Sequence, residues 1–426
     1  MPEDEYALRS QLPHGLTDLF AQEAADKTAL EDALQETFRR WGYQRIILPT
    51  FEYDDTLATG ASAELRRDMY RFFDREGHVL ALRPDMTVPT ARVVGNKLYD
   101  QTLPQRLFYV GNVFRHEEPQ AGRRREFTQA GIELIGAGTA EADAEVVAVA
   151  IAALRAMGMR GFQVNLGQVA YLQAMLNDTR LQNGQLHQLE QAIDRKNDVE
   201  LQRVLADLGL CGDVAAAIRA LPHLCGDAAV LDEAARLATN VPARAAIELL
   251  RTVYDLLRLE GVADLVTLDL GEVRRMAYYT GISFLAYVET LGFSVCSGGR
   301  YDGLLRNFGA DLPAVGFALG VERCLLVTQP GSAIAPDLVV HGCQNPGCKA
   351  LANRARSLGL RVRVDVLQRD EPALLAYARA EGARAVLFCR GADTYVLTRD
   401  ERAGGDRRSR TLTRAAFEEE LAQWKR

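Results

Sequence analysis

A chain of 426 residues is longer than one ordinary hydrophobic core supports, so two or three domains are expected. Its 48% hydrophobic and 25% charged content excludes a disordered or fibrous chain, and a formal charge of −7 gives no global case for a polyanionic partner. The charge is uneven: residues 331–426 carry 17 Lys and Arg against 12 Asp and Glu, a net +5 that leaves −12 for the remainder. That asymmetry suits a polynucleotide-facing domain or, more often, a plain solvated surface. Met1 to Leu12 is charged and lacks an apolar core, so no secretory signal is expected. No run approaches the ~18 apolar residues of a membrane span. Seven cysteines, an odd number scattered from Cys211 to Cys389, point to reduced thiols in a cytoplasmic protein. His341, Cys343 and Cys348 lie close together, but a second Cys/His pair at finger spacing is missing, and no metal is expected.

In chain order, residues 21–42 predict a helix, with Leu30, Leu34, Phe38 and Trp41 forming one apolar stripe and Gly42 ending it. Arg45–Phe51 predicts a strand whose pairing Pro49 limits. Further strands are expected at Val79–Arg83, Arg106–Phe114, Glu126–Ile135, Phe162–Leu166 and Leu265–Leu270, with a helix over Glu141–Met157. Between Val169 and about Val262 Leu, Ala and charged residues recur at helical spacing, which reads as a helical insertion in one sheet. Strands resume at Ile282–Val288 and Phe293–Ser297, and Pro313–Val327 predicts a closing helix. Many strands with few alternating helices argue for an α+β plan, an antiparallel sheet flanked by helices.

Gln329-Pro330-Gly331-Ser332 is a breaker-rich linker between a domain over 1–328 and a second over 333–426. The second alternates strands (338–340, 361–366, 385–389) with helices (348–358, 372–381, 415–424), as a small parallel α/β domain does. Its strand at Thr394–Leu397 runs into a polar segment, 399–414, that reads as a loop.

Several segments carry candidate chemistry. Leu82-Arg83-Pro84-Asp85-Met86-Thr87 follows a strand. In an extended loop Asp85 and Thr87 would point the same way and could hold an ammonium group; the same pair also suits a turn residue and a cap. Residues 113–129 hold four arginines, Arg115, Arg123, Arg124 and Arg125, on two strand-like runs joined by a Pro/Gly loop. Guanidinium groups at this density suit phosphate or carboxylate. Gln129 and Glu133 fall on one face of a strand, and a glutamate among Ile132, Leu134 and Ile135 needs a partner. An imidazole N–H suits it; so does a salt bridge to one of the arginines. Tyr278-Tyr279 can offer a ring wall and a phenol. Ser297-Gly298-Gly299-Arg300-Tyr301-Asp302-Gly303-Leu304 reads as a Gly-rich loop that brings backbone close to a ligand, or as a tight turn.

These segments, in this order, resemble class II aminoacyl-tRNA synthetases of the histidyl-tRNA synthetase-like family. Residues 113–129 resemble motif 2. Leu270–Gly281 resembles the histidine-specific motif Arg-Gly-Leu-Asp-Tyr-Tyr-Thr-Gly, with Arg274, Tyr278, Tyr279, Thr280 and Gly281 matching, Arg275 replacing Gly and Ala277 replacing Asp. Residues 314–323 resemble motif 3, whose Arg323 faces ATP phosphates in a synthetase and otherwise reads as a surface arginine. The resemblance implies the class II synthetase-like fold, with the helical insertion at about 170–262 and a degenerate anticodon-binding-like domain at its C-terminus.

Within the family three features resemble the branch of regulatory subunits that serve ATP phosphoribosyltransferase. Arg83-Pro84-Asp85-Met86-Thr87 replaces the synthetase's Arg-Pro-Glu-Gly-Thr. Thr128 stands before Gln129 where a synthetase usually has His. The C-terminal domain lacks the expected acidic, Gly-containing turn after Cys389. That branch implies a non-catalytic histidine sensor with no cofactor. Its partner is a short-form catalytic subunit, which joins ATP to phosphoribosyl pyrophosphate in the first step of histidine synthesis. Self-association as a dimer within a hetero-oligomer is implied as well. Asp85, Thr87, Arg115, Gln129, Glu133, Arg274, Tyr278 and Tyr279 would line the histidine pocket, and Arg123 and Arg323 would bind phosphate. The synthetase branch implies instead an enzyme that uses ATP, magnesium and tRNA, with Arg115, Arg274 and Arg323 activating histidine.

Overall fold

Helix α1 (Ala21–Arg40) turns Leu30, Leu34 and Phe38 onto one buried face, as the apolar spacing predicts. Phe38 lies between the rings of Phe108 and Phe317, at 5.6 and 6.0 Å. The computed structural model describes residues 11–117, 124–177, 179, 181–273, 278–328, 331, 334–400 and 407–424. The chain divides into two compact units, Met1–Gly331 and Ser332–Arg426.

The first unit is built on a nine-stranded sheet. Its strands are β1 (Gln44–Arg45), β5 (Gln105–Phe114), β6 (Glu126–Ile135), β7 (Phe162–Gln168), β8 (Cys225–Gly226), β9 (Val266–Asp269), β10 (Ile282–Val288), β11 (Ser294–Arg300) and β12 (Ala314–Gly320). They lie in the order β1-β5-β6-β12-β11-β10-β7-β9-β8. The central run from β5 to β7 is antiparallel throughout, and only β1 with β5 and β7 with β9 pair in parallel. A small antiparallel sheet, β2 (Phe51–Tyr53), β4 (Val79–Leu82) and β3 (Arg71–Phe73), stands apart in the same unit.

Helix α2 (Thr87–Val93) follows β4. Helix α3 (Ala140–Ala156) is capped by Thr139, is rich in Ala and Val, and is buried along most of its length between the sheet and its helical neighbours. The expected helical insertion is present as α4 (Val169–Leu176), α5 (Asn183–Asp194), α6 (Asp198–Asp207), α7 (Gly212–Ala220), α8 (Ala229–Leu237) and α9 (Val241–Leu259), with one 3-10 turn, Leu221–His223, and the two-residue β8 among them. This is the class II synthetase-like plan, an antiparallel-rich sheet flanked by helices.

Three expectations in this unit need correction. Arg45–Phe51 is not one strand. β1 and β2 are separated by a stretch in which the Leu48 and Pro49 carbonyls accept from the Arg83 guanidinium, at 2.6 and 2.9 Å, instead of joining a ladder. Pro313–Val327 is not a helix. Ala314–Gly320 is β12, wedged between β6 and β11, and only α10 (Val321–Leu325) turns helical. That strand is buried on both faces, so its residues show neither period clearly, and Gly316 and Gly320 disfavour a helix. Ser297–Arg300 likewise belongs to β11, not to a loop.

The second unit carries a five-stranded sheet ordered β14-β13-β15-β16-β17: β13 (Leu338–Val340), β14 (Val362–Val364), β15 (Ala385–Cys389), β16 (Tyr395–Asp400) and β17 (Arg407–Leu412). Helices α11 (Pro346–Ser357), α12 (Glu371–Ala380) and α13 (Arg414–Gln423) accompany it. The sheet is mixed rather than parallel, because β15, β16 and β17 pair antiparallel. The segment read as a loop contains β17. Its Arg-rich sequence lies on an exposed edge, where a polar strand carries no apolar alternation to betray it.

Truncating Phe38 to Ala empties a fully buried site bounded by two aromatic rings. The expected loss is about 3–5 kcal/mol, read from the urea midpoint of the first unit. A loss below about 1 kcal/mol would show that this face is not the core it looks to be.

Candidate functional site

Residues 83–87 are set in place by two arginines. Buried Arg83 donates Nε to the Asn112 carbonyl (2.7 Å) and Nη1 to the carbonyls of Leu48 and Pro49. Arg115 donates Nε to the Pro84 carbonyl (2.8 Å), and its guanidinium lies over the Phe127 ring, 5.3 Å from the centroid. Between these anchors Asp85 accepts from the Val88 N–H (3.2 Å), in the first turn of α2. The Met86 N–H donates to Gln129 Oε1 at 2.8 Å. Thr87 is therefore the first residue of α2 and not part of an extended loop.

The centre of the cluster is Glu133, on β6 and 1% exposed. Among the described residues its side-chain partners are hydroxyls and not arginines. The Tyr109 hydroxyl donates to Oε1 at 3.2 Å, the Tyr301 hydroxyl donates to Oε2, and the Thr87 hydroxyl also hydrogen-bonds the carboxyl. Burial pushes its pKa up to about 7, against the pull of these three hydroxyls, and the nearby Asp85 charge adds to the rise. The two tyrosines are themselves raised well above the phenol range, first by burial and then by the Glu133 charge.

Two glycines make room for this group. Gly316 lies directly across the β6–β12 ladder from Glu133, and a Cβ there would collide with the Glu133 Oε2 and the Ile132 carbonyl. Gly299, the next residue along the same row on β11, faces Tyr279, whose ring a Cβ would approach to 2.8 Å. The sheet floor beside the carboxyl is thus bare backbone, over which aromatic rings close.

Tyr278 stacks on Tyr301 (centroids 5.5 Å apart, planes at 22°) and meets Tyr279 edge-on at 5.1 Å. Tyr279 is buried, its carbonyl accepting from Gln173 Nε2 at 3.1 Å, while Tyr278, Asp85 and Thr87 are half-buried. Asp85, Thr87 and Glu133 are therefore in mutual electrostatic or hydrogen-bond reach, with Gln129 bonded to the same segment, and Tyr278 and Tyr279 joined to it through Tyr301. Arg323 stands elsewhere, on α10, with Nη1 donating to the Ser294 carbonyl (3.3 Å) and its guanidinium over Phe293. Arg123 and Arg274 lie outside the described residues.

Sequence reasoning missed Tyr109 and the role of Tyr301. Tyr109 was hidden in a strand that reads as core. Tyr301 sat inside the Gly-rich segment, where the glycines drew attention from the phenol beside them. Chemically, a half-open carboxylate, a hydroxyl and a ring face surround a buried carboxyl whose pKa of about 7 lies close to that of an imidazole, about 6.5. Such a group suits a ligand with an ammonium at one end and a proton-sharing ring at the other.

Known proteins share this architecture. The histidyl-tRNA synthetase family model matches residues 15–324. An ATP phosphoribosyltransferase regulatory subunit from Moorella thermoacetica is 42% identical over 375 residues, covering 87% of this chain and 96% of that protein. One from Geobacter metallireducens is 35% identical over 423 residues, covering 96% and 97%. A crystal structure from Bacillus halodurans C, named as an ATP phosphoribosyltransferase regulatory subunit/histidyl-tRNA synthetase, superposes with a TM-score of 0.80 at 31% identity, covering 90% of this chain and 98% of that one. Histidyl-tRNA synthetase from Nostoc sp. PCC 7120 superposes at 0.79 with 21% identity, over 97% of this chain and 99% of that one, a likeness of fold. With whole-length relatives at this identity and the same sheet beneath the Glu133 cluster, the chain belongs to the ATP phosphoribosyltransferase regulatory subunit family.

Proposed function

We propose that this chain is a non-catalytic histidine sensor that activates a short-form ATP phosphoribosyltransferase catalytic subunit and conveys feedback inhibition by histidine to it. The observation that carries the reading is the Glu133 carboxyl, buried among the hydroxyls of Thr87, Tyr109 and Tyr301 and poised near neutrality. An imidazole N–H placed against it shares a proton with a group of nearly equal affinity, and a charge-assisted bond results. Asp85 and Thr87 take the α-ammonium, and the Tyr278 ring flanks the imidazole. By resemblance Arg274 takes the carboxylate, while Arg115 and Gln129 hold the 84–86 backbone that shapes the pocket. No cofactor or metal has a part in this binding.

Histidine can inhibit only if it binds two states of the complex unequally, so the chain acts by linkage and not by chemistry of its own. Calorimetry on the purified chain is expected to show histidine binding, and the same preparation to show no histidine-dependent exchange of pyrophosphate into ATP. Exchange would make it a synthetase and overturn the regulatory reading. Glu133→Ala is expected to weaken histidine roughly 10- to 150-fold, the equivalent of a charged hydrogen bond of about 1.5–3 kcal/mol. In the complex with the catalytic subunit that variant should still assemble and should escape histidine inhibition. Undiminished inhibition would sink the pocket assignment.

The same carboxyl makes stability pH-dependent. It ionises near 4.5 when free and near 7 when folded. Between those values the unfolded chain has lost a proton that the folded chain keeps, so raising the pH favours unfolding. The contribution is full below about pH 4.5 and gone above about pH 7. Urea midpoints of the wild type and of Glu133→Gln, without histidine, should therefore draw apart or cross over that window, with the wild type losing ground as pH rises. A constant difference would place the titrating proton elsewhere.

A further inference from the structure

The second unit gathers three cysteines that the sequence separates. β13 and β15 are parallel neighbours, so they end at the same edge of the sheet. Cys343 follows β13, Cys389 is the last residue of β15, and Cys348 sits in the first turn of α11. Their three sulfurs all lie within 4.8 Å of one another, with Cys343 Sγ and Cys348 Sγ at 3.1 Å. Cys348 is buried, and the other two are half-buried. His341, the neighbour that sequence spacing would recruit, is not among them; its ring tilts against Phe388 at 5.9 Å. Cys389, from a distant strand, takes its place. All three also border the apolar core of the unit, as small weakly polar side chains do, but it is the mutual approach of their sulfurs that sets them apart.

The surroundings are arranged for negative charge. Asn345 caps α11 by accepting from the Gly347 N–H (2.8 Å) and turns its Nδ2 to Cys389 Sγ at 3.1 Å. The helix N-terminus adds its own partial positive charge. Tyr395 stands directly across the β15–β16 ladder from Cys389, so both side chains share one face. It is fully buried, its hydroxyl oxygen lies against Gly347 next to Cys348, and that hydroxyl has no hydrogen-bond partner. An orphaned buried hydroxyl is costly, and a nearby thiolate would accept a hydrogen bond from it.

We propose that Cys343, Cys348 and Cys389 bind a thiophilic divalent cation, Zn2+, as three thiolates, with water or an added ligand in the fourth tetrahedral position. Zinc–sulfur bonds of about 2.3 Å hold sulfurs roughly 3.8 Å apart, which the trio reaches with small side-chain shifts. Each thiol that becomes a ligand releases its proton to solvent, and no electrons are transferred. Three thiolates and one Zn2+ leave a single negative charge, to which Asn345, the helix N-terminus and the Tyr395 hydroxyl are complementary.

The test uses the full, untagged chain, stripped with a chelator under reducing conditions. Co2+ is expected to bind with one equivalent per chain and to give thiolate-to-metal charge-transfer and tetrahedral ligand-field bands, which one equivalent of Zn2+ displaces. C343S and C389S should each weaken Zn2+ at least tenfold in competition with a chromophoric chelator. Tyr395→Phe, which keeps all three sulfurs, should weaken it by about tenfold. Should a serine variant fail to fold, alkylation of the wild type decides. Zn2+ should then protect Cys343, Cys348 and Cys389 from iodoacetamide while leaving the exposed Cys211 and Cys225 reactive. Absence of thiolate bands, unaltered alkylation, or a Cys343–Cys348 disulfide that forms with no retained metal would overturn the proposal.

Discussion

The need to keep one carboxyl, Glu133, solvated by protein instead of water governs the centre of the first unit. A carboxylate on a central strand with no partner would cost several kcal/mol. Its donors come from three separate places: Thr87 at the start of α2, Tyr109 on β5 and Tyr301 just beyond β11. Each donor has its own support. Arg83 and Arg115 hold the backbone that delivers Thr87, and Gly316 leaves space on the adjacent strand. Even so, the hydroxyls do not offset burial fully, and the remainder appears as a pKa near 7. A single residual imbalance thus becomes the property a ligand with a titratable ring can use.

The legibility of this arrangement followed its physics. Where burial was one-sided, periodicity was plain: Leu30, Leu34 and Phe38 mark α1, and the long insertion shows its helical stripes. Where a strand is buried on both faces, as β12 is, the period disappears and the segment was taken for a helix. Where a strand is exposed on both, as β17 is, polarity disguises it as a loop. In the candidate site Asp85, Thr87, Gln129 and Glu133 were legible because polar residues among apolar ones demand a partner. Tyr109 was not, because a tyrosine in a strand satisfies core patterning and hides its hydroxyl. The Cys389 partnership was invisible for another reason: it depends on two parallel strands ending together, a fact of topology and not of spacing.

The arginines show how a motif residue can be held by folding contacts alone. By sequence motif Arg115 and Arg323 match arginines that a synthetase uses, and their presence alone suggests catalysis. In this chain both have other work. Arg115 pins the Pro84 carbonyl and covers Phe127, and Arg323 binds the Ser294 carbonyl and covers Phe293. A guanidinium that secures a backbone carbonyl and an aromatic face is retained by folding whether or not ATP is bound. Their retention therefore does not discriminate between the two branches. The difference at Asp85-Met86 carries more weight, because it alters a segment bonded directly to Gln129 beside the Glu133 cluster.

On the proposed reading, the rigidity of the Glu133 cluster restricts where regulation can act. A contact made equally in two states strengthens binding without shifting their balance. Glu133 is tied to three segments and flanked by bare backbone, so moving it would strand a buried charge. Its contact with histidine is then nearly the same in both states. The discriminating contacts must be those with freedom to differ, namely half-buried Asp85, Thr87 and Tyr278 at the solvent side. Deep residues of the pocket would accordingly set how tightly histidine binds, and rim residues would set how much of that binding is converted into inhibition of the partner.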